Sequence, residues 1–192
     1  QSSPLSPYLG SASISTALRE CPRFAPTLDA LRDSGAGFES GAGGYGYNAA
    51  FVGTVRTKGP QDTWQVARDD VGSRTSRFRR HSDTVMYTDA AFASGQGVGG
   101  EWGPVIEYAY AEPAKWPQFA GPFAPDPSIH FRHSGKANAA WLDGSVTQEP
   151  RTHTARSMLY PQDPDPAMLG WFGPELDNTL FDYDLRPVPP IQ

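Results

Sequence analysis

The chain is poor in the features that most readily settle a protein's class. One cysteine, Cys21, in 192 residues excludes an intramolecular disulfide and any zinc site built from several thiolates. No apolar run approaches the ~18 residues of a membrane-spanning helix. Cationic excess is missing too: 16 Lys and Arg face 21 Asp and Glu, a formal net charge of −5. Nucleic-acid binding needs a basic footprint to displace counterions from phosphates, so that class is set aside. The one basic cluster, Arg74, Arg77, Arg79, Arg80 and His81, reads as a solvated loop or strand edge. Gln1 to Pro7 carry neither the basic start nor the apolar core of a secretory signal. The expectation is a cytosolic chain or an exported one whose signal has been removed. Repeats at solenoid or propeller periods are absent.

Glycine and proline, by contrast, are abundant, at 20 and 19 residues. Glycine raises backbone entropy and proline lacks the N–H that helices and ladders use, so a long-helix bundle is excluded. Aromatic residues at 12%, five of them tryptophan, supply enough apolar surface to oppose disorder. Together these predict one α+β domain over residues 1–192, mainly β, with long Pro/Gly-rich loops.

Along the chain, Thr27 to Asp33 predicts a short helix capped by Thr27, with Leu28 and Leu31 on one face. Strands are expected over Tyr45 to Thr54, Thr84 to Phe92, Val105 to Tyr110, Ser128 to His133 and Ala137 to Glu149, giving an antiparallel sheet of about five or six strands. In Val105 to Tyr110, Glu107 falls on the face opposite Ile106, Tyr108 and Tyr110. Residues 55–83 read as a polar excursion, and the five prolines of 111–127 as an extended surface loop. Thr152 to Leu159 is a candidate short helix.

The clearest local signal is Ala137 to Gln148. Asp143-Gly144 between two β-prone runs predicts a two-residue type I′ hairpin, because both turn residues need positive φ. That register sets Trp141 opposite Val146 in the core. His133 stands ten residues before Asp143, giving His-x9-Asp-Gly in "HFRHSGKANAAWLDGSV". This segment, with "CPRF" at Cys21, "GYGYNAAF" at Gly44 and "GWFGPELDNTLFDYD" at Gly170, resembles the prepilin-type H-X9-DG (DUF1559-like) proteins. They are type IV pilin-like or pseudopilin-like.

The resemblance implies a pilin-like head whose motif residues His133, Asp143 and Gly144 are structural. It implies a long hydrophobic N-terminal helix, expected upstream of residue 1 or absent, as the only membrane contact. Its implied role is a filament subunit at the cell envelope or outside the cell, with other homo- or hetero-oligomeric filament subunits as partners.

The chemical alternatives are thinner. His133-Ser134 puts a base beside a hydroxyl, yet adjacent side chains seldom reach nucleophile–base geometry, and no Gly-x-Ser-x-Gly elbow occurs. An enzyme is not expected. His133 is read as ending a strand and hydrogen-bonding backbone. His130 and His133 should face opposite sides of one strand, which opposes a zinc site from that pair. Tail oxygens from Asp163, Asp165, Asp177, Asp182 and Asp184 suit calcium. Some pseudopilins carry a C-terminal calcium loop, and Asp177, Asp182 and Asp184 are its candidates here. Otherwise no cofactor is expected. The aromatics Trp64, Trp102, Trp116 and Tyr160 either cover the sheet or stack on sugars. The latter would make an extracellular carbohydrate- or ligand-binding β domain using loops 55–83 and 111–127.

Overall fold

The computed structural model describes residues 20–34, 41–93, 105–118, 125–155 and 164–183. Residues 1–19, Asp163, Trp102, Tyr160 and Asp184 lie outside them. Helix α1 spans Ala25–Ser34. It starts two residues before Thr27, with Pro26 in the first turn where a missing N–H costs nothing. Thr27 therefore does not cap it: its N–H reaches the Phe24 carbonyl at 3.0 Å, and that of Leu28 does so at 3.1 Å. No helix among the described residues is long and apolar enough to cross a membrane.

The architecture is α+β and mainly β. The strands are β1 (Tyr45–Tyr47), β2 (Val55–Lys58), β3 (Trp64–Arg68), β4 (Val85–Asp89) and β5 (Phe92–Ala93). They continue as β6 (Val105–Ile106), β7 (Ile129–His130), β8 (Lys136–Trp141), β9 (Val146–Pro150) and β10 (Leu169–Gly170). The main antiparallel sheet holds four strands in the order β1-β4-β8-β9, fewer than the five or six expected. Among the described residues the others form two-stranded ribbons, β10-β7, β2-β3 and β5-β6.

Several segments depart from the sequence expectation for local reasons. The Tyr45 strand stops at Tyr47 because Asn48 turns the chain: its carbonyl accepts the N–H groups of Val52 and Gly53, each at 3.0 Å. Residues 55–83 are no plain excursion; β2 and β3 form a hairpin around Gly59-Pro60, with Lys58 opposite Trp64. Residues 111–118 are not a plain extended surface loop: they bend at Ala114-Lys115, turn at Pro117-Gln118 and are partly buried, since the Trp64 N–H donates to the Pro117 carbonyl at 2.6 Å and the Trp171 indole to that of Glu112 at 3.0 Å. Thr152 to Ala155 is not helical; His153 bridges Trp171 antiparallel.

The β8–β9 hairpin differs most instructively. The Gly144 N–H donates to the Trp141 carbonyl and the Trp141 N–H to that of Ser145, both at 2.9 Å. In the Asp143-Gly144 pair only Gly144 has positive φ, +88°. This is a three-residue loop closed by a left-handed glycine, so the register moves by one residue from the expected type I′ turn. Val146 pairs with Ala140 and stands 66% exposed, while Ala137, Ala139 and Trp141 point into the core. The two-residue turn with positive φ at both positions lies instead at Ser134 (+56°) and Gly135 (+80°), where His133 and Lys136 exchange backbone hydrogen bonds.

Two buried clusters follow. The larger joins the inner sheet face to Phe51, Trp64, Phe131, Trp171, Phe181 and Tyr183. The smaller gathers Cys21, Phe24, Leu28, Ala91, Val105 and Leu169, with Tyr45 packed against it.

Candidate functional site

Asp89 ends β4 and is fully buried, an expensive place for a carboxylate unless every lone pair is engaged. Its Oδ1 accepts from Arg132 Nη2 at 3.1 Å and Nε at 3.3 Å. Its Oδ2 accepts the Asn138 N–H at 2.7 Å and lies 3.2 Å from His133 Nε2. Cys21 Sγ lies 3.6 Å from the same nitrogen. Cys21, Asp89 and His133 thus converge, with one ligand atom each inside 4.8 Å of the others. Among the described residues they are the sole group of three such side chains.

Each member is held by its own element. The tight turn at Ser134-Gly135 swings His133 back toward β4. Cys21 precedes α1, and its N–H donates to Gly43 at 2.8 Å. Gly43 is fixed in turn by Glu107, whose Oε1 accepts the Gly41 and Gly43 N–H groups at 3.1 and 2.5 Å. Glu107 lies just past β6, which ends at Ile106 rather than continuing to Tyr110 as expected, and it is buried as a turn anchor. Arg132 also donates to the Gly44 and Ala90 carbonyls and sits 4.4 Å from the Phe24 ring centroid. Gly44 has φ +84°, and a Cβ there would lie 2.7 Å from Phe24, so no larger residue fits.

The strand expected over Ser128 to His133 forms only at Ile129–His130, so His133 stands in the following turn and opposed strand faces do not apply. His130 is still no member of the cluster. His130 Nδ1 faces Arg132 Nη1 at 3.1 Å, and its ring meets Phe24 edge-on at 5.8 Å. Burial foremost, then the Arg132 cation and His133, push its pKa from 6.5 down to about 3, so it stays a neutral acceptor. Tyr45, paired with Asp89 across β1 and β4, has its pKa raised by burial first and then by Cys21 and Asp89.

The motif is not one site. His133 and Asp143 lie at opposite ends of β8, a six-residue strand about 20 Å long. His133 meets side chains rather than only backbone. Asp143 Oδ1 accepts the Ser145 N–H and hydroxyl at 2.9 and 2.7 Å, which lowers its pKa and braces the turn. In the tail, Asp177 accepts the Thr179 N–H at 2.8 Å. The Asn178 side chain bonds the Lys115 N–H and carbonyl at 2.8 and 2.9 Å. Asp177 and Asp182 fall in no group of three potential metal ligands among the described residues.

Sequence reasoning missed Cys21 and Asp89 as partners of His133, since 112 residues separate Cys21 from His133 and no local spacing joins them. Compared with known proteins, the chain matches no family model, no curated protein and no solved structure.

As chemistry, the cluster is not a nucleophile–base–orienter relay. In such a relay the thiol and the carboxylate engage different ring nitrogens. Here both face Nε2.

Proposed function

We propose that the chain is the head of a pilin-like or pseudopilin-like filament subunit, acting through assembly surfaces at the cell envelope. One observation carries this reading. Val146, Ala140, Tyr87 and Tyr47 are register partners across β9, β8, β4 and β1, and Tyr110 bridges Tyr47 beyond them. They form an apolar stripe across the full width of the sheet's outer face, with Val146, Tyr87 and Tyr110 at 66%, 43% and 39% exposure. A continuous apolar band at the surface of a sheet marks a place that another element covers. In this reading the cover is the long hydrophobic helix implied by the resemblance, or the flank of the next subunit.

The motif residues support the same role, because His133, Asp143 and Gly144 work on turns and neighbouring side chains. The test is the native amino terminus of the full gene product, with electron micrographs of the cell surface. A basic leader followed by ~20 apolar residues and filaments lost in Tyr87→Lys are expected. A plain secretory signal with no assembly in any preparation would sink the idea.

A carbohydrate-binding domain is the second reading, and the tyrosines of the stripe are what favour it, since amphipathic rings suit sugars. Trp64 no longer does, being buried between Phe51 and Tyr183. Glycan-array binding abolished by Tyr87→Ala and Tyr110→Ala would favour it over the filament.

A further inference from the structure

We propose that Cys21, Asp89 and His133 bind one divalent cation of the zinc class, clasping the start of α1 to the sheet. The donors are one sulfur, one imidazole nitrogen and one carboxylate oxygen, a set of borderline softness that suits zinc better than calcium or magnesium. Zinc bonds of about 2.0–2.3 Å in tetrahedral array place ligand atoms roughly 3.3–3.7 Å apart. The observed edges from His133 Nε2 are 3.6 Å to Cys21 Sγ and 3.2 Å to Asp89 Oδ2. Three ligands leave the fourth position to water, and the His133 side chain is the exposed member of the set, at 20%.

The three side chains meet in a way that an ion satisfies. Nε2 faces the Asp89 carboxylate and the Cys21 thiol at once, and the single proton or lone pair that it carries serves only one of them well. The Asp89 oxygen concerned already takes the Asn138 N–H. On binding, Cys21 gives its thiol proton to solvent. His133 coordinates through Nε2, with its remaining proton on Nδ1. The outer supports are built: Arg132 and Asn138 orient the carboxylate, while Glu107 through Gly43 fixes the Cys21 backbone. Such supports set metal affinity about 10–100-fold. With Cys21 as thiolate, two anionic ligands and Arg132 leave a net charge of −1, which the divalent ion carries to +1.

The experiment uses untagged full chain, stripped with a chelator and titrated with zinc and with cobalt. Expected are one equivalent bound and a thiolate-to-cobalt charge-transfer band with tetrahedral visible bands. Tm should rise by about 5–10 °C at a hundredfold excess of zinc over Kd. Cys21→Ser, nearly isosteric, should lose the charge-transfer band and weaken zinc binding at least about tenfold. His133→Gln should weaken it likewise. His81→Gln, at the far end of β8, should bind as the parent does. Absence of the charge-transfer band in the parent chain overturns the proposal. So does zinc binding by a folded Cys21→Ser equal to that of the parent. Neither result touches the filament reading, which rests on the outer stripe.

Discussion

The Tyr183 hydroxyl lies 2.6 Å from the Ser73 hydroxyl, joining residues 110 positions apart. The same oxygen accepts the Arg56 N–H at 3.2 Å and lies 3.0 Å from the Thr54 carbonyl. The ring packs on Phe51, Trp64 and Phe78 with centroids 4.8–5.6 Å away. Tyr183→Phe keeps this packing and orphans buried partners, so about 1–3 kcal/mol should be lost. Tyr183→Ala should lose about 3–5 kcal/mol. Urea unfolding with an unchanged m-value checks both, and a loss below 0.5 kcal/mol in Tyr183→Phe refutes the network.

Asn48 is fully buried and donates through Nδ2 to the carbonyls of Val85 and Phe181, both at 2.9 Å, while Oδ1 accepts the Phe51 N–H at 3.2 Å. It fastens β4 to the carboxyl-terminal segment. Asn48→Ala removes three buried hydrogen bonds and should cost about 3 kcal/mol or more. Asn48→Asp should cost at least as much, because a carboxylate meets two carbonyls. Denaturant midpoints of the two variants decide it.

His130 gives the fold an acid-sensitive point. Its folded pKa of about 3 lies below the unfolded value near 6.5. The unfolded chain binds the extra proton between those values, so this contribution is full above pH 6.5 and shrinks as pH falls toward 3. Between pH 7 and pH 5 the loss is on the order of 2 kcal/mol. His130→Asn retains an acceptor for Arg132 without titrating there. Its stability should vary less over that interval; an identical pH profile in the two proteins contradicts the assignment.

The hairpin register sets a sharper contrast. Val146→Thr, on the exposed outer face, should change stability by no more than about 0.5 kcal/mol. Trp141→Ala empties a core position where the indole meets Phe172 at 5.9 Å and donates to Thr147 at 2.7 Å. It should cost about 3–5 kcal/mol. Thermal melts of the pair are sufficient, and a Val146→Thr loss above 1 kcal/mol would restore the register in which Val146 faces Trp141.

What the sequence made legible was local. Alternation and turn chemistry located β4, β8 and β9 and the loop at Asp143-Gly144, because each signal lies within a few residues. The loop type escaped, since Asp-Gly serves both a two-residue turn and a longer loop closed by glycine, and only the ladder distinguishes them. The β2–β3 hairpin was readable in the alternation of Trp64 to Arg68 around Gly59-Pro60, yet its charged residues masked it. The site was illegible for a different reason. Cys21, Asp89 and His133 lie on three separate segments, and their meeting depends on Glu107 holding Gly43 and on Arg132 spanning Asp89 and Gly44.

His133 meets Asp89 at one end of β4, and the Asp143 N–H reaches the His81 carbonyl at 3.1 Å just before its other end. The interval between His133 and Asp143 is therefore a gauge cut to the length of the neighbouring strand. One inserted residue must bulge out or turn Ala137, Ala139 and Trp141 toward water. Two inserted residues keep the faces but carry the Asp-Gly loop about 7 Å past its seat. Substitutions along β8 are constrained by the side they face and those at Ser134-Gly135 by positive φ, whereas changes of count strike both ends together. The motif is a grammar of spacing, in which the number nine carries more meaning than the letters it counts.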